Sequence, residues 1–190
     1  MEYPLDRTEA NGFDLHEWFS LGAQEVAAHK KYLNDINVFP VADGDTGTNL
    51  STTMRAMVEK PARASSFSGM LHGISKSGME SARGNSGIIF ASFVNGIAQE
   101  CETAEVVTVP EFSGIVYRAV KHLYRAVEHP MEGTLMSVIR DWATFLEANK
   151  DRFPGFRELF SQAYQSAIAS LEKTKEQLQV LKKHNVVDSG

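Results

Sequence analysis

The length and composition of this chain are those of one folded domain with a sizeable apolar core. It has 190 residues, of which 43% are hydrophobic, and domains commonly run to about 100–150 residues, so two domains of ordinary size would not fit. The formal charge of −5 comes without a Lys/Arg cluster among aromatic residues, which excludes the electrostatic pattern of a nucleic-acid-binding protein.

The first half of the chain reads as helices separated by polar turns. Residues 1–13 lack hydrophobic periodicity and are predicted to form a loose tail, ahead of a domain over 14–190. From Asp14, a suitable N-cap, apolar residues recur at helical spacing to about Asn34, which predicts the first helix. After the stretch NVFPVADGDTGTNLS, a second helix is predicted from Thr48 to about residue 60.

The rest of the chain continues the same pattern. Thr134 is predicted to cap the sixth helix, and Ser86 can cap the fourth. The sequence has only two strand candidates, one of which is the segment VVTV at 106–109, and these are too few for a sheet. The chain is therefore predicted to be an all-α bundle or barrel of seven or eight helices. The third to eighth predicted helices cover about 67–82, 88–100, 110–127, 135–146, 156–171 and 176–183.

The stretch at 37–51 carries the strongest chemical signal. Asp43 and Asp45 lie one residue apart and supply hard oxygen ligands of the kind that divalent cations prefer. The hydroxyl, amide and glycine groups that follow precede a helix N-terminus, where unpaired N–H groups favour phosphate. The stretch is therefore interpreted as a loop that binds a metal ion and a nucleotide, with these donors after the acid pair: Thr46, Gly47, Thr48 and Asn49.

Three other interpretations compete for this stretch. A calcium EF-hand loop would place Gly47 and Met54 at ligand positions that need oxygen side chains, so it fails. An aspartyl phosphotransferase would use Asp43 as nucleophile and Asp45 as acid/base, but it requires a strand and helix alternation that the chain lacks. The third is a plain Asp/Gly-rich turn that caps a helix, which leaves the pairing of the acids unexplained.

Other turns also place polar groups at helix entrances. In the turn ARGNSG, Asn85, Ser86 and Gly87 suit a close approach to phosphate, and Arg83 offers a guanidinium. Taken alone, this turn is more typical of ordinary helix capping than of a phosphate site. The six His show no metal-binding spacing.

Cysteine content and hydropathy bear on the cellular location. Cys101 is the single cysteine, so no disulfide can form within the chain. There is no signal peptide and no apolar run of about 18 residues, the length that a membrane-spanning helix needs. We therefore expect a cytoplasmic protein that is not integral to a membrane.

Four motifs in order resemble a known family. NVFPVADGDTGTNL, ARGNSGII, EGTLMSVIR and VVDSG closely resemble the N-terminal ATP-binding domain of the bacterial fatty acid kinases, which is similar to the L subunit of dihydroxyacetone kinases (DhaL-type domains). The resemblance covers residues 14–190. It implies a closed barrel of eight antiparallel helices that binds ATP or ADP, with two Mg²⁺ ions under the phosphates.

The resemblance also implies roles for individual residues. Asp43 and Asp45 match magnesium-binding aspartates, and Asn37 stands where the dihydroxyacetone kinase subunit has a further Asp, so Asn37 is expected to offer its carbonyl oxygen. Residues 46–49 match a segment that contacts the phosphates, and Ser86 and Gly87 match a second phosphate turn. Thr134 and Leu135 match the adenine side, and Asp188 matches a segment that closes near the nucleotide.

The resemblance implies a kinase that depends on a partner. Its acceptor would be a fatty acid carboxylate held by a separate fatty-acid-binding carrier protein, or alternatively dihydroxyacetone held by its own binding subunit. The chain would be the excised N-terminal domain of a longer protein, and a homodimer is compatible with the resemblance. No acceptor-binding nucleophile or base is recognised, so a module that holds ADP or ATP without turnover on its own stays an alternative.

Overall fold

Apolar residues at helical spacing form eight α-helices in the computed structural model, which describes residues 7–190. Their amphipathic faces enclose one apolar core. The elements in chain order are β1 (Glu9–Ala10), α1 (Gly12–Asp35), α2 (Thr46–Glu59), α3 (Phe67–Ser81), α4 (Gly84–Glu100), β2 (Val107–Thr108), α5 (Val109–Ala126), α6 (Leu135–Asn149), α7 (Phe156–Gln177) and α8 (Gln179–His184). The predicted all-α fold is confirmed.

A short antiparallel ribbon pairs residues 9 and 10 with the segment directly before α5. Ala10 of β1 pairs with Val107 of β2 and is 1% exposed. The strand candidate at 106–109 therefore forms a strand, although one too short to support a sheet. Residues 9–13, predicted as part of a loose tail, contribute β1, the N-cap of α1 and its first residues; residues 1–6 of that prediction lie outside the described residues.

The first helix begins earlier than predicted. The side chain of Asn11 accepts hydrogen bonds from the N–H groups of Phe13 and Asp14, and the Asp14 carboxylate accepts one from the N–H of Asn11. This reciprocal pair is a capping box, so Asp14 lies at the third helical position and Asn11 is the N-cap.

The two polar turns also enter their helices earlier than expected. α2 begins at Thr46, not Thr48, and α4 begins at Gly84, not near Ile88. Ser86 therefore lies in the first turn of α4 and does not cap it. α6, by contrast, begins where predicted, with the Thr134 side chain accepting a hydrogen bond from the N–H of Met136.

Helices that follow one another pack together, and α2 also packs against α4. Trp18 of α1 contacts the rings of Phe156 and Phe160 on α7, with ring centroids 5.1 and 5.0 Å apart, and so joins the first and seventh helices. Within residues 7–190, no helix is long and apolar enough to cross a membrane.

Candidate nucleotide site

The starts of α2, α4 and α6 meet around a cleft of about 660 Å³. Its remaining walls come from the loop before α2, the turn between α5 and α6, and residues 188–190. This size lies within the range of about 300–1,000 Å³ that is usual for small-molecule sites. Most of the predicted site residues line it: Asn37, Asp43, Asp45, Thr46, Asn49, Asn85, Ser86, Thr134, Leu135 and Asp188.

Four predicted site residues lie outside the cleft lining, and two of them are glycines. A Cβ at Gly47 would lie 2.3 Å from the carbonyl oxygen of Lys30, and a Cβ at Gly87 would lie 2.5 Å from Oγ1 of Thr53. Both glycines therefore allow close helix packing, of α2 on α1 and of α4 on α2. This role differs from the approach to phosphate that the sequence predicted.

The other two are Thr48 and Arg83. The Asn34 side chain accepts a hydrogen bond from the N–H of Thr48 at 3.1 Å and donates one to its hydroxyl at 3.0 Å. Thr48 is thus held by α1, which supplies a cap for α2 from a neighbouring helix. Arg83 is exposed, and its N–H donates to Oγ1 of Thr53.

The loop that carries the acid pair is wound around the buried side chain of Asn37. The Asn37 amide nitrogen donates to the carbonyl oxygens of Phe39 (3.3 Å) and Val41 (3.2 Å). Its amide oxygen accepts from the N–H of Gly44 at 3.0 Å, and Gly44 takes a positive φ of 66°. Asn37 therefore sets the path of the loop, whereas its predicted role as a metal ligand stays a prediction.

The carboxylates that line the cleft give it a negative charge, which is unusual for a site that binds an anion. Asp43, Asp45, Glu128 and Asp188 line the cleft, and no Lys or Arg does so among the residues described. A bare polyphosphate would be repelled by these carboxylates, so only a cation-bound form would be accepted.

The donor set fits magnesium that is shared with a phosphate ligand. No group of three or more His, Cys, Asp or Glu within the described chain is placed to hold a metal ion on its own. Asp43 and Asp45 nevertheless both face the cleft. Mg²⁺ commonly takes only one or two carboxylates from a protein and completes its shell with substrate phosphates and water.

The helix N-termini at the cleft differ in a way that separates their roles. The N-caps of α2 and α4, Asp45 and Arg83, make no side-chain capping hydrogen bond. At α2 the Asn34 side chain takes the N–H of Thr48. The other first N–H groups of these two helices have no partner within the helix and can receive an anion. At α6 the positions are taken by Thr134 and by the Asp188 carboxylate, which accepts from the N–H of Leu135 at 2.9 Å.

Asp188 fastens the last residues of the chain across the cleft. Burial raises the pKa of its carboxyl group, and hydrogen bonds from the N–H groups of Leu135 and Gly190 oppose that rise. The adjacent Ser189 hydroxyl donates to that of Thr46 at 3.3 Å. The segment thus bridges the starts of α6 and α2.

An apolar wall of the cleft was missed from the sequence. Val41, Ile88 and Met131 are 62%, 49% and 44% exposed, and all three line the cleft. Val41 lies within the stretch NVFPVADGDTGTNLS, Ile88 follows ARGNSG, and Met131 precedes EGTL. Their position beside polar motifs is the signal that could have identified them. An exposed apolar surface beside polar donors suits a flat, weakly polar ring such as a nucleobase.

Comparison with known proteins identifies the family. The DAK2 domain model matches residues 40–190. The chain is 34% identical over 179 residues to the uncharacterized protein MG369 homolog of Mycoplasma pneumoniae, covering 90% of this chain and 32% of that protein. It is 34% identical over 182 residues to Protein YloV of Bacillus subtilis, covering 95% of this chain and 33% of that protein.

A third relative gives the same picture. The uncharacterized protein SSP1546 of Staphylococcus saprophyticus is 36% identical over 172 residues, which are 89% of this chain and 31% of that protein. The chain thus spans about a third of the length of the curated relatives it matches. It belongs to the DAK2-domain (DhaL-type) family of kinase-related nucleotide-binding modules.

Proposed function

We propose that this chain is the ATP-binding domain of a kinase that works with a partner protein. The observation that carries the proposal is the convergence in one cleft of an acid pair, two helix N-termini whose own N-cap residues make no side-chain hydrogen bond, and an exposed apolar wall. These are the surfaces that a cation, a polyphosphate and a base would each require.

The roles of the residues follow from their chemistry. Asp43 and Asp45 would hold magnesium, two ions by the resemblance, and the first N–H groups of α2 and α4 would receive the phosphates. The apolar wall would hold the adenine. Bound magnesium would neutralise charge on the phosphate oxygens during transfer. The chain itself binds and orients the nucleotide.

The acceptor is proposed to be a fatty acid carboxylate presented by a carrier protein. Among the lining residues, no serine or cysteine is hydrogen-bonded to a histidine as an activated nucleophile would be. The resemblance suggests a domain that holds ATP while a partner supplies the acceptor. The resemblance, and no geometry of the cleft, selects the fatty acid over dihydroxyacetone.

The proposal is tested by calorimetric titration of MgATP into the wild type, Asp43→Asn and Asp45→Asn. Each variant removes a charged ligand and should bind about tenfold to a hundredfold more weakly. Asp151→Asn is a matched control, because Asp151 is exposed and lies outside the cleft lining. Equal affinities in all four proteins would refute the metal assignment.

The partner requirement is tested by turnover. The domain alone should bind MgATP without phosphorylating free fatty acid or dihydroxyacetone. Phosphorylation of either free acceptor by the isolated domain at a rate typical of kinases, about 1–100 per second, would contradict the partner-dependent role.

A further inference from the structure

The turn between α5 and α6 forms one wall of the cleft, and contacts outside the cleft hold its conformation. Met131 and Thr134 line the cleft, whereas Glu132 and Gly133 between them do not. Gly133 has a φ of 82°, and a Cβ there would lie 2.8 Å from the Cβ of Gln177. The turn is therefore packed between the cleft and the end of α7.

A buried hydroxyl and a carboxylate hold this turn. Ser137, 1% exposed, accepts a hydrogen bond from the N–H of Gly133 at 2.9 Å and donates to Glu132 at 2.7 Å. The Glu132 carboxylate also accepts from the Tyr124 hydroxyl at 3.1 Å and from Arg140 at 2.5 Å. The hydrogen bond from Ser137 lowers the pKa of Glu132 most strongly. Burial opposes this effect, and the hydrogen bonds from Arg140 and Tyr124 add to it.

The network also includes Arg140 of α6. Its guanidinium pairs with Glu132 and with Asp141, and Asp141 in turn accepts from the Ser170 hydroxyl of α7. Arg140 does not line the cleft. Its charge is used to fix the turn and to tie α6 to α7.

We propose that Ser137 and Glu132 are positioning residues for the nucleoside half of the bound nucleotide. Neither lines the cleft, so both would act through the turn they hold. Residues 126–136 give the cleft mainly apolar side chains, whereas its free N–H groups come from α2 and α4. A shifted turn would thus disturb the surface for the base and leave the phosphate and cation contacts in place.

The inference rests on the proposed function and is tested with two probes, MgATP and magnesium tripolyphosphate, which has the phosphates but no nucleoside. Ser137→Ala leaves a buried N–H without its acceptor and should weaken MgATP binding about tenfold. Glu132→Gln acts at a half-exposed carboxylate and should weaken it about threefold. Tripolyphosphate binding should change by less than about twofold in both variants.

Two control variants show the results expected when both probes bind more weakly and when neither does. Asp43→Asn should weaken both probes together. Glu25→Gln removes an exposed carboxylate in the middle of α1, outside the cleft lining, and should change neither.

Circular dichroism on heating establishes that each variant is folded, and Glu132→Gln decides the matter if Ser137→Ala does not fold. Equal weakening of both probes, or unchanged MgATP binding in folded variants, would overturn the positioning role while the proposed function stands. Failure of the wild type to bind MgATP would overturn the proposed function itself.

Discussion

Replacing Asn37 with Asp separates two roles for one buried side chain. Asn37 is 6% exposed, and its amide nitrogen donates to two loop carbonyl groups, those of Phe39 and Val41. A carboxylate cannot donate, so Asn37→Asp would place a negative oxygen against two carbonyl oxygens. If Asn37 were chiefly a metal ligand, the same change would instead add a favourable charge to the cation site.

The size of the expected loss follows from these contacts. Each lost hydrogen bond costs about 0.5–1.5 kcal/mol, and the buried repulsion adds to that sum, for a total of about 2–4 kcal/mol. Local opening of the loop limits the cost, because the loop can unwind without unfolding the bundle. For a domain of this size the melting temperature should fall by roughly 4–16 °C. Because the loop carries Asp43 and Asp45, MgATP should bind at least about tenfold more weakly.

The assay combines thermal denaturation with calorimetric titration of MgATP. Asn149→Asp is a matched control, since the Asn149 amide nitrogen donates one hydrogen bond to the Phe145 carbonyl at 2.9 Å outside the cleft. It should cost about 1 kcal/mol of stability and leave MgATP affinity unchanged. An Asn37→Asp protein that melts like the wild type and binds MgATP more tightly would refute the loop-winding role.

Gly87→Ala should lower the free energy of unfolding by about 1–3 kcal/mol in urea titration, because the new Cβ would meet Oγ1 of Thr53; an unchanged value would contradict the close packing. Hydrogen bonds, chiefly from Lys121, lower the pKa of Glu100 from 4.5 to about 2. The stability that this gives is present above about pH 4.5 and is lost as the pH falls towards 2, so urea titrations of Glu100→Gln should show less acid destabilisation than the wild type. Burial raises the pKa of Asp188 in the folded state, so its contribution has the opposite sign: stability falls as pH rises from about 4 through the folded pKa, and Asp188→Asn should remove that fall.

The sequence predicts a helix correctly where the residues of that helix determine it. Apolar residues at a helical period define the body of each helix, and Thr134 caps α6 from within its own turn. The start of α2 was not predictable in this way, because Asn34 of another helix supplies a cap. The VVTV segment indicated the strand at Val107, but its partner strand at Ala10 lies far away in sequence, so no local pattern could indicate that pairing.

The candidate site was predictable in its polar half only. Acid and hydroxyl residues in a turn, such as Asp43 and Ser86, stand out from a helical background. Val41 and Ile88 have the composition of core residues, and only the structure shows that they are exposed at a cleft. Gly87 suited both a phosphate turn and a helix contact, and the position of Thr53 identifies the contact.

The cation dependence of ATP binding tests the central claim most directly. The cleft lining carries four carboxylates and no Lys or Arg among the described residues, so ATP should need a divalent cation to enter it. Calorimetric titration of ATP with Mg²⁺ and with EDTA should give affinities that differ by about a hundredfold or more. Equal affinities under the two conditions would contradict the account.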